Sequence, residues 1–254
     1  MAVGICEEVN WSQRKAWVIG ASSGIGADLA NELRAAGCQV TISARNVEAL
    51  NALAAGTMEV LPIDIANDSS VAQAADSYLA THGQFDLVIV MAGYWKQMSA
   101  FDFDLEIFKV HNDTNVVGLA RVIANVLPAM RAANTGTLVG VSSVAGYRGF
   151  PGSAGYGPSK AAQLNLLESL RADLNGTGVK VLTVSPGFVK TPMTSTNTFP
   201  MPFIITSQQA AKHIMKGLAR NKPEIVFPLP MSITMKIAKV IPQRLWMRMF
   251  PTRK

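Results

Sequence analysis

The stretch that decides the fold is AWVIGASSGIG, residues 16–26. Its apolar first half predicts a buried strand at 16–20, and the periodic apolar positions that follow predict a helix at 25–36, ending at Gly37. Between them, Gly20, Gly24 and Gly26 let the backbone approach a pyrophosphate, whose charge is attracted by the N–H groups of a helix N-terminus. The spacing G-x-x-x-G-x-G therefore predicts a nucleotide site. The alternative is a strand-to-helix turn that is tight only for packing.

Short apolar runs alternate with helix-period segments along the rest of the chain. The runs predict strands at 40–44, 59–63, 87–91, 138–141, 179–184 and 225–227. The segments predict helices at 47–54, 70–81, 105–132, 156–174 and 208–219, the last capped by Ser207. Continuous Val, Ile and Leu runs are typical of parallel strands buried on both faces. The predicted class is α/β: a Rossmann-type doubly wound parallel sheet of about seven strands flanked by helices, with a C-terminal helical extension.

The composition is that of a folded chain without an evident linker or repeat. We predict a single domain over 1–254, with a core at 16–227, a proline-rich substrate loop at 186–206 and a basic amphipathic tail at 228–254. Hydrophobic residues at 49% exclude a disordered chain, and only two cysteines, Cys6 and Cys38, exclude a disulfide scaffold. Residues 1–15 lack a signal-peptide core, and we expect no run of about 20 apolar residues that crosses a bilayer. A cytoplasmic location follows as an expectation.

The net charge of +6, from 23 basic and 17 acidic residues, is concentrated in the tail. Six basic residues and no acidic one follow Glu224: Lys236, Lys239, Arg244, Arg248, Arg253 and Lys254. The remaining body is neutral, which disfavours a nucleic-acid partner.

Two interpretations of the tail stay open. The favoured one is a helix that packs on the body, covers the substrate cleft or joins a subunit interface, with Pro242 interrupting it. The other is peripheral binding to an anionic membrane surface, with Trp246 and Phe250 in the headgroup region and the cations facing lipid.

Arg45, beside Asn46, follows the second predicted strand. A site for NAD carries a carboxylate at this place, about 20 residues after the glycine turn. A guanidinium there can instead pair with the 2′-phosphate of NADP. We therefore predict NADP(H) as the cofactor. The alternative is an exposed arginine at a strand end.

Tyr156 and Lys160 are four residues apart, which places them on one face of a predicted helix. A free phenol has a pKa of about 10, and a neighbouring ammonium lowers that pKa toward the working range of an acid–base catalyst. Ser142 and Ser143 end the strand predicted at 138–141, at the edge of the sheet where α/β proteins bind ligands. A hydroxyl there can donate to a substrate oxygen that gains charge.

The glycine turn, the serine and the Tyr156/Lys160 pair resemble, in order and spacing, the short-chain dehydrogenase/reductase family over residues 16 to about 227. Further matches are Asp64, Ala92-Gly93, NVVG at 115–118 and PGFVKT at 186–191. Two positions depart from the family pattern, Ile19 and Met91, and both concern links between strands.

The resemblance implies a catalytic tetrad of Asn115, Ser143, Tyr156 and Lys160, in which Ser143 has the family's offset to the tyrosine. Tyr156 would protonate a carbonyl oxygen or deprotonate an alcohol. Lys160 would tune Tyr156 and hold the nicotinamide ribose, and Asn115 would position a water that relays protons to Lys160. The cofactor site of an NADP-preferring member would comprise Gly20, Ser22, Ser23, Gly24, Ile25, Gly26, Arg45, Asn46, Asp64, Ile65, Ala92, Gly93, Tyr156, Lys160, Pro186, Gly187, Val189 and Thr191.

The predicted function is NADP(H)-dependent interconversion of a ketone or aldehyde and an alcohol by hydride transfer. Aromatic residues after strand ends or at 186–206 favour an apolar or lipid-like small molecule as substrate: Tyr94, Trp95, Tyr147, Phe150, Phe188 and Phe203. The alternative is a non-catalytic dinucleotide-binding sensor or scaffold, which the Tyr/Lys pair disfavours. His82, His111 and His213 lack metal-ligand spacing, and His111 is interpreted as a surface or packing residue. The resemblance also implies a homo-oligomer, a dimer or tetramer.

Overall fold

The computed structural model describes residues 9–250, and its centre is a seven-stranded parallel sheet. The strands are β1 Lys15–Ile19, β2 Gln39–Ser43, β3 Glu59–Val60, β4 Leu87–Val90, β5 Gly136–Val141, β6 Val179–Pro186, and, after the short separate pair β7 Val189–Lys190 and β8 Ile205–Thr206, β9 Glu224–Phe227. Their order across the sheet is β3-β2-β1-β4-β5-β6-β9. The predicted Rossmann-type sheet of seven strands is confirmed.

Helices cover both faces of this sheet. They are α1 Gly24–Ala35, α2 Val47–Ala54, α3 Asp68–His82, α4 Leu105–Asn112, α5 Gly118–Ala133, α6 Tyr156–Asp173 and α7 Ser207–Ala219, followed beyond β9 by α8 Leu229–Val240 and α9 Gln243–Arg248. Because successive strand residues point to opposite faces, Trp17 packs with α3 and α5 whereas Val18 packs with α1. Trp17 stacks on Tyr78 at 4.9 Å and on Phe85 at 6.1 Å between ring centroids. The sheet is thus buried on both sides, as its apolar runs predict.

The helix predicted at 105–132 is interrupted by a π-helical turn, Asp113–Val117, between α4 and α5. Asn115 lies in this turn and is fully buried. A wide turn re-aims a side chain at a functional site. One extra residue in a turn does not disturb apolar periodicity enough to be seen in the sequence.

By length and composition alone, the combined stretch Leu105–Ala133 is the one helical segment in residues 9–250 able to cross a membrane. Leu119, Val122 and Val126 on its inner face belong to the hydrophobic core. Arg121 forms ion pairs with Asp68 and Asp113. These contacts are those of a core helix, and core helices pass the same test.

The segment between β6 and α7 differs from its prediction in two details. It contains the parallel β7–β8 pair, in which the first residues of the two strands, Val189 and Ile205, lie opposite each other. Helix α7 is capped by Thr206 rather than Ser207: the Thr206 hydroxyl accepts from the N–H of Gln209, and the Gln209 side chain accepts from the N–H of Thr206. Ser207 is the first helical residue, because this reciprocal capping box needs a glutamine three residues after the cap.

The tail forms two helices separated at Pro242, as predicted. Their inner side packs with Val144 in a third apolar cluster. Trp246 is 7% exposed, and its indole N–H donates to the carbonyl of Gly149 at 3.0 Å. These contacts agree with the favoured interpretation, in which the tail packs on the body. In the alternative, Trp246 would face a headgroup region, but here its indole is hydrogen-bonded inside the protein and Phe250 meets it edge-on. Cys6, Arg253 and Lys254 lie outside the described residues, whereas Cys38 is a buried free thiol.

Candidate active site

A cavity of about 400 Å³ lies at the carboxyl edge of the sheet. Every residue predicted to contact the cofactor lines it, from the glycine turn to Thr191. Of the predicted tetrad, Ser143, Tyr156 and Lys160 line it too, whereas Asn115 is buried behind it. Ser142, predicted with Ser143 at this edge of the sheet, also lines the cavity. Residues that line it but were not predicted to contact the cofactor are Ile19, Ala44, Ile63, Ala66, Met91, Thr114, Val141, Pro192, Met193 and Thr194.

The glycine turn is held closely against its neighbours. Gly20 has φ +95°, and a Cβ there would lie 2.5 Å from the backbone N of Ala92. A Cβ on Gly26 would lie 2.2 Å from the carbonyl O of Gly20. Both glycines are thus required by packing within the turn. The N-terminus of α1, with its N–H groups free of intrahelical partners, is left open to the cavity, and within the described chain the N-cap residue Ser23 makes no side-chain capping bond.

The far end of the cavity carries Arg45 and Asp64. Arg45 is exposed and follows the end of β2, separated from it by Ala44 because the strand ends at Ser43, one residue earlier than predicted. The next residue, Asn46, uses its side-chain oxygen to cap α2 by accepting from the N–H of Ala49 at 3.0 Å. The Asp64 carboxylate accepts from the N–H of Ala66 at 3.0 Å, which fixes the turn after β3. A guanidinium at the mouth of the cavity is therefore presented on an ordered turn.

The two serines after β5 have separate tasks. The Ser142 hydroxyl is buried and donates to the carbonyl of Lys160 at 2.8 Å, which ties β5 to α6. The Ser143 hydroxyl accepts from the N–H of Ala145 at 3.1 Å and donates to the carbonyl of Pro186 at 3.3 Å. It also faces Tyr156, whose pKa it acts to lower. Ser143 is thus the serine next to the phenol, as the resemblance implies.

Lys160 is held by protein groups. Its ammonium donates to the carbonyl of Val141 at 3.0 Å and to the Gln163 side-chain oxygen at 2.8 Å, and lies 5.5 Å from the centre of the Tyr156 ring. The amide nitrogen of Gln163 donates in turn to the backbone carbonyl of Asn115. Gln163, only 2% exposed, therefore joins Lys160 to Asn115. It stands between the two residues that the resemblance joins through a water.

The Asn115 side chain is likewise committed to the protein. Its oxygen accepts from the N–H of Tyr94 at 2.7 Å, and its nitrogen donates to the carbonyl of Tyr94 at 3.0 Å and to the Ser159 hydroxyl at 2.9 Å. Through these bonds Asn115 fixes the strand end that carries Gly93 and the start of α6. That Asn115 also positions a water for Lys160 stays a prediction.

The pKa values at the site follow from burial. Burial raises the pKa of Tyr156 to about 12, with Ser143 opposing that rise, and burial lowers the pKa of Lys160 to about 7. The prediction that the ammonium brings the tyrosine pKa down is therefore wrong for this arrangement, since desolvation is the dominant cause at both groups. At neutral pH Tyr156 carries its proton and can give it away.

His111 and Trp95 border Tyr156 from the other side. His111 is fully buried, its Nε2 lies 3.2 Å from the N–H of Lys96, and its Nδ1 lies 2.8 Å from the carbonyl of Ile107. Burial lowers the pKa of His111, so the ring is neutral and packs against the site, in agreement with the packing interpretation. Trp95 meets Tyr156 edge-on at 5.0 Å and donates from its indole to Asn197 at 2.8 Å.

Only some of the aromatic residues predicted near the cleft lie there. Phe199, which was not predicted, lies 6.4 Å from Trp95 and 6.0 Å from Phe188 between ring centroids. Tyr147 and Phe150 instead pack against the tail helices, and Phe203 is exposed. Tyr94 packs against His111. The aromatic wall therefore consists of Trp95 and Phe199 together with Phe188, which contacts Phe199 and also packs against the tail cluster.

Comparison with known proteins agrees with this geometry. The family model described as short chain dehydrogenase matches residues 14–200. An uncharacterized oxidoreductase of Myxococcus xanthus (strain DK1622) is 40% identical over 241 residues, which are 92% of this chain and 95% of the relative. A short chain dehydrogenase from Burkholderia cenocepacia J2315, solved in complex with NADP, is 25% identical with a TM-score of 0.85 over 96% of this chain and 100% of that one.

A short chain dehydrogenase/reductase from Burkholderia phymatum, solved in complex with NAD, has the same fold, with a TM-score of 0.83 at 21% identity over 97% of this chain and 99% of that one. The chain belongs to the short-chain dehydrogenase/reductase family. It is an oxidoreductase whose chemistry is the dinucleotide-dependent interconversion of carbonyl compounds and alcohols. Because the two solved structures hold different dinucleotides, fold likeness does not choose between them.

Proposed function

We propose that this protein is an NADP(H)-dependent carbonyl reductase, with Tyr156 as general acid in reduction and general base in the reverse direction. The observation that carries the proposal is one cavity with Arg45 at one end and Tyr156, Ser143 and Lys160 at the other. The sequence spacing and the site geometry support the same assignment of roles.

The cavity fits a dinucleotide. Gly20 and Gly26 have no room for a Cβ, and the N-terminus of α1 offers N–H donors where a pyrophosphate needs them. Arg45 would hold the 2′-phosphate, since a guanidinium binds phosphate through two parallel hydrogen bonds. Within residues 9–250 the ion pairs involve other residues, so this guanidinium is available to a ligand.

The end of the cavity that holds Tyr156, Ser143 and Lys160 supplies the groups for proton transfer to the substrate. The bound dinucleotide supplies a hydride for the carbonyl carbon. Tyr156, protonated at neutral pH, gives its proton to the carbonyl oxygen as negative charge builds there, and the Ser143 hydroxyl donates to the same oxygen. Lys160, with its pKa of about 7, would carry a charge that rises as the pH falls and would restore the proton to the phenolate.

The aromatic wall supports an apolar substrate. Trp95 stands beside Tyr156, and Phe199 lies within 6.4 Å of both Trp95 and Phe188 between ring centroids, so this wall presents ring faces and edges rather than charged groups. Burying alkyl surface against such rings is favourable at about 25 cal/mol per Å². An alkyl or lipid-like ketone or aldehyde fits this wall better than a sugar acid does.

Steady-state kinetics with a series of ketones and aldehydes of increasing chain length test the reaction. NADPH should be oxidised in step with carbonyl loss, and kcat/KM should rise with chain length until the wall is filled. Tight NADPH binding with no turnover across the series would instead favour the alternative of a non-catalytic sensor or scaffold.

The cofactor assignment has a separate test in Arg45→Asp. Loss of the phosphate contact should raise KM for NADPH about 10- to 100-fold and leave KM for NADH nearly unchanged. Arg34→Asp, the same charge change in the last turn of α1 and away from the cavity, is the matched control. An equal rise for both dinucleotides would remove the assignment.

A homo-oligomer is also proposed. Phe103, Leu105, Val110 and Val117 are large apolar residues exposed in and around α4. Apolar area of this kind marks contacts between proteins. Sedimentation velocity should give a dimer or tetramer, and a monomer at all concentrations would contradict this.

A further inference from the structure

The outer face of α8 is apolar although it faces away from the protein. Leu229, Ile233, Ile237 and Val240 are 69%, 52%, 56% and 78% exposed. Their spacing of four, four and three residues aligns them in one stripe, opposite the buried Met231, Met235 and Ala238. Helix α8 is therefore apolar on two opposite faces, and the body of the protein covers only one.

Exposed apolar residues also occur beyond Pro242. Leu245, Met247 and Met249 in and after α9 are 53%, 60% and 63% exposed. The two tail helices thus expose seven large apolar side chains, while the inner contact through Trp246 keeps both helices on the body. An exposed apolar surface of this extent marks a binding surface.

A second cavity, of about 420 Å³, borders this stripe. Leu229 and Lys236 of α8 form one wall, and α7 together with the turn before β9 forms the other. Four cationic side chains line it: Lys216, Arg220, Lys222 and Lys236. None of its lining residues belongs to the cavity at the carboxyl edge, so the two cavities are separate.

The four cations of the second cavity outnumber the carboxylates in its lining. Glu224, the one carboxylate in its lining, accepts a hydrogen bond from the Tyr147 hydroxyl. The ion pairs found within residues 9–250 include none of the four cations. The lining therefore carries an excess of positive charge, and an anion from outside would meet this excess directly beside apolar surface.

Among possible occupants, an anionic lipid surface matches both the apolar stripe and the cationic cavity. Aliphatic side chains enter the acyl boundary while lysine and arginine meet the phosphates, as in interfacial helices. A second copy of the chain fits less well, because a two-fold contact through this face would bring the cations of both copies together.

We propose that the stripe and the cationic cavity together dock this protein on an anionic membrane surface, with a lipid phosphate in the cavity. Lys236 belongs to the flank of the stripe that borders the cavity, so one lipid can meet both. Docking is independent of the proposed reaction and is measured without cofactor or substrate.

Co-sedimentation of the full chain with vesicles of phosphatidylglycerol and phosphatidylcholine tests the proposal, with pure phosphatidylcholine vesicles as reference. The partition coefficient should be about tenfold higher on the anionic vesicles and should fall with added salt. No binding to anionic vesicles, or equal binding to both, would overturn it.

Two pairs of variants locate the surface. Lys216→Glu should lower the partition coefficient about tenfold, whereas Lys212→Glu, on the same helix but outside the cavity, should lower it less than about threefold. Ile233→Asp should lower it about tenfold through lost apolar insertion, and Thr234→Asp, which adds the same charge beside the stripe, should lower it less.

All four positions are exposed, so thermal melting should be unchanged in each variant. Equal losses in both members of each pair would show unspecific attraction and overturn the proposal. So would a change of oligomeric state in Ile233→Asp with vesicle binding intact, because the stripe would then be an interface between copies. Binding of inorganic phosphate without vesicle binding would contradict it equally.

Discussion

The cavity at the carboxyl edge and the outer face of the tail helices depart in opposite ways from the usual distribution, in which proteins bury apolar side chains and expose polar ones. In and directly behind the cavity, polar and charged groups such as Lys160, Gln163 and Asn115 are buried, and each is hydrogen-bonded within the chain. On the tail, aliphatic side chains are exposed next to cations that no described carboxylate pairs. The buried polar groups have hydrogen-bond partners within the protein, whereas residues 9–250 neither cover the exposed apolar side chains nor form ion pairs with the cations beside them. The first departure therefore belongs to chemistry carried out inside the protein, and the second to binding from outside.

The largest expected effect lies in the cavity. Tyr156→Phe removes the proton donor and keeps the ring against Trp95, so kcat should fall about 10²- to 10⁴-fold with NADPH binding unchanged. Turnover is followed by NADPH absorbance, and binding by fluorescence. Activity within about threefold of the parent chain would show that another group supplies the proton.

The charge of Lys160 should be visible in stability. Its folded pKa, about 7, lies below the ordinary 10.5, so between these values the unfolded chain binds the proton that the folded chain excludes. Stability must then rise with pH across this window, and the cost of the buried charge is fully present below it. Relative to Lys160→Met, the parent should gain up to about 4 kcal/mol between about pH 7 and pH 10 in urea titrations without cofactor. A constant difference would contradict the low pKa.

On the tail, the inner face should matter to stability and the outer face should not. Trp246→Ala removes a buried indole and its bond to Gly149, and should lower the free energy of unfolding by about 3 kcal/mol. Leu245→Ala, one residue away and exposed, should change it by less than about 0.5 kcal/mol. Similar losses in both would mean that α9 does not sit as described.

The smallest effect is expected at Gln163, which positions Lys160 without lining the cavity. Gln163→Leu removes the acceptor of the Lys160 ammonium and the bond to the Asn115 carbonyl, and should lower kcat about tenfold. Gln163→Glu sets a carboxylate beside the ammonium, raises the pKa of Lys160, and should move the pH profile of kcat upward. A purely structural residue would change kcat in both variants with no movement of the profile.

The sequence predicts the cavity well because its residues follow strand ends in fixed order. Topology alone brings Gly20, Arg45, Ala92 and Ser143 to one edge once the sheet is parallel. Gln163 was missed although it follows Lys160 by one helical turn, since no motif marks an amide at that place. The direction of the Tyr156 pKa was missed because burial, unlike spacing, is a property of the folded chain.

For the tail, the sequence predicts the charge and the helix boundary but not which side of each helix is buried. Its charge could be counted from the sequence, but α8 is apolar on both faces, so periodicity does not say which side is covered. Of the two interpretations of the tail that the sequence leaves open, the contacts of Trp246 agree with the favoured one, a helix that packs on the body. The boundary at Pro242 was predicted correctly, because proline acts locally.

The placement of the tryptophans has a spectroscopic consequence. Trp246 is enclosed by Phe150 and the Arg148 guanidinium, 5.5 Å from its ring centre, whereas Trp95 stands beside Tyr156. Indole emission depends on polarity, so each region of the molecule contains its own optical reporter. The difference between the parent spectrum and that of Trp95→Phe isolates ligand entry, and the corresponding difference for Trp246→Phe isolates any release of the tail from the body.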